Sequence, residues 1–378
     1  MWKNYIKIAW RNLLKKKVYA SINILGLAVG MACCLVIAMY IMDELSYDQY
    51  HKKKDRIYRV VHGNSSPDAA EGVVQSHEIW GNAPVGPALQ LDFPNIEKVV
   101  QFSGRADLLL TQGEATYQEE GVLFMDSTAF DVFSWEMIEG NPKTALLAPY
   151  SIVLTESTAK KYFGDEEALG KTLKGSESAG RSNPGDYTVT GVMEDVPNNS
   201  HFKFNALLSM STYKQSRPSI FEQWGYVDSY TYFMVNEHFD PEEFQQKVPA
   251  FLERRRGDRG DRYTISIEPL KDAYLKSEAI RQPGETGNMS SIYIFSVIGM
   301  FILVIAIINF MNLSTARSME RAKEVGIRKS IGANKRSLVL QFMGESFIIV
   351  FLAAIIGCLL LFMAFPLIEA LTGKVLQL

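Results

Sequence analysis

Three uncharged, apolar stretches divide the chain, at residues 18–42, 292–311 and 346–368. At about 1.5 Å of rise per residue, each is long enough to cross a hydrocarbon core of roughly 30 Å. Inside lipid the backbone must satisfy its own polar groups, so all three are expected to be helices. Residues 43–287 between the first two stretches change rhythm. Residues 56–62 (RIYRVVH) read as a strand, 83–91 as a helix and 96–102 as a second strand. The same order returns later, with a strand at 230–235 (YTYFMV) and a strand at 263–267 (YTISI). Between those two, Asp240 supplies an N-cap, Pro241 a first-turn proline and Glu243 a capping-box glutamate. Phe244, Val248, Phe251 and Leu252 then form one apolar helical face. Two strand–helix–strand units, separated by about 125 residues, predict the halves of one ferredoxin-like layer interrupted by an insertion.

The insertion is expected to span residues 140–219, leaving porter-like parts at 44–139 and 220–287. It contains strand-like 151–155 (SIVLT), a helix at 156–163 and strand-like 187–192 (YTVTGV). Residues 174–185, with Gly175, Gly180, Pro184 and Gly185, read as a loop between strands. The fold class is therefore an α-helical membrane protein with three transmembrane helices and a large α+β extracytoplasmic domain, a ferredoxin-type layer plus an inserted lobe.

Charge orients this arrangement. Residues 1–17 carry six basic side chains and no acid, which keeps the N-terminus inside. Residues 317–345 carry seven basic and three acidic side chains, and the two crossings before them place them on the same side. Residues 43–287 and 369–378 then lie outside. The outer region holds 25 basic and 38 acidic residues, an asymmetry hidden by the whole-chain charge of −3, and it excludes nucleic acid as that region's partner. Trp2, Tyr5, Ile6, Ala9, Trp10, Leu13 and Leu14 recur at helical spacing in residues 1–17, predicting an amphipathic helix in the inner interface. The first span is longer than a signal h-region and no A-x-A site follows it, so it reads as a retained anchor. Cys33, Cys34 and Cys358 all sit in spans, which leaves no disulfide framework outside.

Candidate chemistry is sparse. Residues 164–172 (GDEEALGKT) approximate a phosphate-binding loop but put five residues between the glycines, and three carboxylates there would repel phosphate. The better reading is a helix ending at Phe163-Gly164. His51, His62, His77, His201 and His238 show no metal-ligand spacing, and no Gly-x-Ser-x-Gly elbow occurs. No catalytic residue, cofactor or metal site is expected. The patterned feature is the basic segment at 317–345, where Gly326 and Gly332 allow a change of chain direction and Arg328 and Lys329 suit carboxylates on a partner.

Several segments resemble the MacB/FtsX-like permease family of ABC transporters. They are residues 126–133 (DSTAFDVF), 139–142 (EGNP), 151–164 (SIVLTESTAKKYFG), 169–171 (LGK) and 189–204 (VTGVMEDVPNNSHFKF), then 309–316 (NFMNLSTA), 321–333 (RAKEVGIRKSIGA) and 341–346 (QFMGES). The resemblance implies a permease without its own ATPase motif, paired with a cytosolic ABC ATPase subunit and a second permease unit in the bilayer of the cell inner membrane. It further implies mechanotransmission from the ATPase to the outer domain, in export or efflux of peptides, lipoproteins or antimicrobials or in action on a periplasmic partner protein. By the same resemblance, Glu324, Gly326, Arg328, Lys329, Gly332 and Ala333 form a short coupling helix that docks on the ATPase. The implied layout is an interfacial helix at 1–17, spans at 18–42, 288–316 and 346–368, a periplasmic core domain at 43–287, a coupling loop at 317–345 and a periplasmic end at 369–378. The family unit has four transmembrane helices, so the chain resembles the first half of a long permease cut before the fourth. The alternative readings are a membrane-anchored sensor or binding protein, for which 17 and 29 cytoplasmic residues leave little output domain, and an anchored enzyme.

Overall fold

The computed structural model describes residues 11, 17–64, 76–105, 108–177, 183–257, 263–316, 322, 325–327, 329–331 and 335–372. The interfacial helix expected in residues 1–17 lies, apart from Arg11 and Lys17, outside the described residues. The chain forms two compact units, one from residues 46–288 and one from 1–45 with 289–378.

In chain order, helix α1 (Lys17–Ser46) leads to β1 (Ile57–Asn64), β2 (Ser76–Glu78), β3 (Trp80–Asn82), α2 (Val85–Asp92) and β4 (Ile96–Arg105). Next come β5 (Leu108–Gln112), β6 (Ala115–Glu119), β7 (Val122–Met125), α3 (Ala129–Val132), β8 (Met137–Gly140), β9 (Ser151–Thr155) and α4 (Glu156–Phe163). They are followed by β10 (Thr172–Glu177), β11 (Gly185–Met193), β12 (Ala206–Ser209), α5 (Met210–Ser216), β13 (Val227–Val235), α6 (Pro241–Arg256) and β14 (Tyr263–Pro269). Helices α7 (Met289–Ala316) and α8 (Lys335–Thr372) complete the chain described.

Strands β14, β1, β13 and β4 lie side by side in that order, each pair antiparallel. Counted within the two strand–helix–strand halves, this is the 4-1-3-2 order of a ferredoxin-like layer. Alternation explains how one layer serves two cores, because neighbouring side chains on a strand point to opposite faces. Val60, Val99, Phe233 and Ile265 meet Val85 and Leu89 of α2 and Phe244, Val248 and Phe251 of α6. Ile57, Val100 and Tyr232 instead meet Phe133, Trp135, Phe202 and Phe204 on the other face. Helix α6 starts as its sequence dictates, with the Asp240 carboxylate accepting from the Glu242 and Glu243 amides at 2.8 and 3.4 Å.

The sheet does not stop at β4. It continues through β7, β12, β9, β11, β10, β5 and β6, so the inserted lobe extends the same sheet. Leu108, Leu110, Val122 and Phe124, which the sequence reading places in the porter-like part, share the lobe's core with Ile152, Leu154, Tyr187 and Leu208. A second difference concerns residues 172–177, expected largely as loop and found as β10, paired with β5 and β11. Gly175 fits a strand here because a Cβ would come within 2.8 Å of the Tyr187 ring, so the glycine makes room for that buried tyrosine. Residues 178–182 are outside the described set. At Gly164 the helix ends as expected, with the Gly164 amide donating to the Lys160 carbonyl at 2.8 Å.

In the other unit, three helices are long and apolar enough to cross a membrane: Ala20–Ser46, Met289–Ala316 and Leu338–Ala370, with mean hydropathy of 2.5, 2.8 and 3.1 in their most apolar windows. Helix α8 begins at Lys335, well before its apolar run, so the second half of the basic segment is helical and continuous with the span. Ala28 and Ala353 are fully buried where α1 and α8 pack together.

Candidate functional site

Of the six residues expected to dock on a partner, Gly326 and Lys329 are described, while Glu324, Arg328, Gly332 and Ala333 lie outside the described residues. Val325–Ile327 are helical, and the turn continues to Ile331, whose amide donates to the Ile327 carbonyl at 3.2 Å. The Ser330 hydroxyl donates to the Gly326 carbonyl at 2.9 Å. The change of direction expected at Gly326 and Gly332 involves residues outside the described set, and Gly326 itself is helical. Its φ is not in the left-handed region, and open space surrounds the position a Cβ would take. Lys329 is exposed.

The charge-based reading missed a pair of apolar side chains. Ile327 and Ile331 are 56% and 80% exposed, one helical turn apart. Residues four apart share a helix face, so the two form an apolar ridge, with Lys329, two positions from each, on the opposite side of the turn. The signal was present as a four-residue spacing inside a segment read for its charges.

A second polar constellation sits in the α/β unit. Asp48 and His201, both buried, are joined by a 2.8 Å bond between Oδ2 and Nδ1. His201 Nε2 meets the Tyr232 hydroxyl at 2.8 Å, and the Arg59 guanidinium lies near that phenol. The fully buried Arg59 also donates to Glu268 at 2.9 Å, to Gln282 at 2.8 Å and to the Ala273 carbonyl at 3.2 Å. Burial pushes the Tyr232 phenol up to about 12, the neighbouring Arg59 opposing it. Nearby His51 accepts from the Ser134 amide at 3.1 Å, and burial lowers its pKa to about 4. His62, bonded to the Tyr263 hydroxyl, is lowered to about 3 by burial and by Arg256. Asp48, His201 and Tyr232 satisfy one another, whereas His51 Nε2 and His62 Nε2 are buried without a hydrogen-bond partner.

A cleft of about 450 Å³ lies between β8 and α4 and is lined by Glu139, Glu156, Lys160, Asp165, Glu166 and Glu167. Its carboxylates would repel an anion. Among the described residues, no group of three or more His, Cys, Asp or Glu is placed to hold a metal ion.

Residues 20–251 match the MacB-like periplasmic core domain, and residues 296–377 match the FtsX-like permease C-terminal domain. The chain belongs to the MacB/FtsX-like permease family. It is 21% identical over 372 residues to "Uncharacterized ABC transporter permease YvrN" of Bacillus subtilis (strain 168), covering 94% of this chain and 85% of that relative. "Macrolide export ATP-binding/permease protein MacB" of Bdellovibrio bacteriovorus is 24% identical over 225 residues, covering 58% of this chain and 31% of the relative. The protein of the same name from Neisseria gonorrhoeae is 26% identical over 207 residues, covering 54% and 29%. The matches thus span less than a third of the length of these MacB relatives. Among solved structures, a permease-protein domain from Porphyromonas gingivalis aligns with a TM-score of 0.47 and 25% identity, over 58% of this chain and 92% of that one. The periplasmic region of MacB from Actinobacillus actinomycetemcomitans aligns with a TM-score of 0.39 and 17% identity, over 57% and 89%. This MacB/FtsX-like protein is an ABC transporter permease, a membrane protein with an extracytoplasmic α/β domain. Its family implies a cytosolic ATPase partner.

Proposed function

We propose that this permease couples the motion of a cytosolic ABC ATPase to its extracytoplasmic domain, in export or efflux of peptides, lipoproteins or antimicrobials. The observation that carries this reading is the helical turn formed by residues 325–327 and 329–331, with exposed Ile327, Lys329 and Ile331, in a basic segment between two helices able to span a membrane. An apolar ridge within a basic segment suits a partner surface that pairs an apolar groove with carboxylates around it. In this reading Glu324, Gly326, Arg328, Lys329, Gly332 and Ala333 belong to the docking element. The N-terminus and the basic segment are cytoplasmic, the α/β domain is periplasmic, and the bilayer is the inner membrane. A second permease unit completes the transmembrane assembly, and a periplasmic partner protein receives or delivers the cargo.

The test is reconstitution of the full chain with the ABC ATPase encoded beside it. Co-purification and stimulated ATP hydrolysis are expected, with both reduced at least tenfold by Arg328→Glu or Gly332→Trp. A chain that neither binds nor stimulates the ATPase overturns the proposal.

A further inference from the structure

The buried Asp48–His201 bond lies where three separate stretches of the α/β unit meet. The incoming stretch follows α1, and the outgoing stretch leads to α7. The third is residues 199–202, part of the link between β11 and β12 of the inserted lobe. Asp48 is held from several sides. Its amide donates to the Asn199 carbonyl at 2.8 Å, and its Oδ1 accepts from the His201 amide at 3.2 Å. Asn199 returns the contact, donating from Nδ2 to the Ser46 carbonyl and hydroxyl at 3.1 and 3.0 Å.

Asp48 has a left-handed backbone, with φ of 59°, and is fully buried. Such a conformation persists only where the surroundings over-determine it. The outgoing stretch is equally tight. A Cβ on Gly284 would come within 2.1 Å of the His201 carbonyl oxygen, so only glycine passes there. Tyr47 stacks on Tyr274 with ring centroids 3.5 Å apart, and the Gly287 amide donates to the Tyr274 carbonyl at 2.9 Å. The link at 199–202 is therefore clamped between the incoming and outgoing stretches.

Counting donors gives the clamp a direction. In the tautomer that carries a proton on Nδ1, His201 donates to Asp48 and accepts the Tyr232 hydroxyl proton at Nε2. Each member has a partner, and separating Asp48 from His201 strands a buried carboxylate. The pair is stiff because breaking it is costly.

We propose that the Asp48–His201 pair is the joint that delivers displacement of the two membrane-leading stretches to the inserted lobe. This rests on the coupling function proposed above and names the residues through which the outer domain receives it. The pair is a positioning device that touches no cargo. A merely structural pair would change stability alone, whereas a joint changes how faithfully the lobe follows the incoming stretch.

The chain's three cysteines, Cys33, Cys34 and Cys358, lie outside this unit, which allows site-specific spin labelling after their replacement. Lys52→Cys on the incoming stretch and Lys160→Cys on the lobe, both exposed, report one distance in full-length chain reconstituted with its ATPase and diluted with unlabelled chain. With Asp48 and His201 intact, a single narrow distribution unchanged by ATP is expected. In Asp48→Asn and, in parallel, His201→Gln, the distribution should at least double in width and shift with ATP, while ATPase stimulation persists. Two variants guard against one failing to fold. Stimulation with a narrow, ATP-invariant distance in a folded variant overturns the joint and spares the coupling reading. Absence of stimulation by the unmodified chain overturns both.

Discussion

Arg59 and Lys329 are both cations, and the contrast between their surroundings separates what holds this permease together from what it offers a partner. Arg59 is fully buried, with Glu268, Gln282, Tyr232 and the Ala273 carbonyl around its guanidinium. Lys329 is exposed on a turn whose apolar neighbours, Ile327 and Ile331, are exposed too. A buried charge persists only when its hydrogen bonds are met, so its neighbourhood must be built around it. An exposed charge costs nothing to leave alone, so its pattern is free to answer to another molecule. Substitutions in the first region should therefore register in stability, and substitutions in the second in partnership.

The strongest way to break this contrast is Arg59→Ala. Removing one member of a buried ion pair typically costs about 3–5 kcal/mol, and because the remaining Glu268 carboxylate is a quarter exposed to water the loss should fall toward the lower end. Urea unfolding of the α/β unit in detergent-solubilised chain, followed by tryptophan fluorescence, should show a loss of that size. A change below about 1 kcal/mol, the scale of an exposed pair, would mean that water replaces the guanidinium readily and that the region is less enclosed than described.

Acidification probes the same interior with a smaller effect. The His51 pKa is lowered from 6.5 to about 4, chiefly by burial. The folded state therefore keeps this imidazole neutral while the unfolded chain takes up a proton below pH 6.5. His51's contribution is thus fully present above pH 6.5 and is lost as pH falls toward 4, by up to about 3 kcal/mol. His62, lowered to about 3, extends the loss further into acid. Unfolding measured at pH 7, 5.5 and 4.5 should show stability falling at each step, and His51→Phe should flatten the first part of that fall.

These two regions were not equally legible in the sequence. The ferredoxin-like layer could be read because its cues are local: alternation in RIYRVVH and YTYFMV, and the Asp240-Pro241 start of α6. Strand β10 was missed because Gly175 signals a turn by itself, and only the distant Tyr187 ring explains it. The Asp48–His201 contact joins residues 153 positions apart, with no spacing to announce it. In the basic segment the charges were legible as a pattern, but they drew attention from Ile327 and Ile331. Local periodicity carries elements, whereas contacts between elements need the fold.

The cap of α6 gives a calibration between the two regions, since Asp240 is exposed yet structural. Its carboxylate accepts from two backbone amides that have no helical partner. Asp240→Ala should cost about 1 kcal/mol, measured in the same urea unfolding, while ATPase stimulation is unchanged. A surface residue with a structural partner should behave as an interior one on a smaller scale.

The smallest stability effect belongs to the double substitution Ile327→Ala, Ile331→Ala, and it is the most informative. Both side chains are largely in solvent, so truncating them removes little buried apolar area and should leave unfolding within about 0.5 kcal/mol of the original. Alanine also keeps the turn helical, so any loss cannot be assigned to backbone change. If the ridge is a docking anchor, the apolar area it buries exists only in the complex, and ATPase binding should weaken at least tenfold with the permease itself intact. Lys329→Ala should act more mildly and mainly at low salt, because an exposed charge away from the ridge steers association more than it holds a complex. An unchanged affinity in the isoleucine variant would remove the apolar anchor and leave docking to the charges alone. A loss of stability would instead place the two side chains against the permease's own surface.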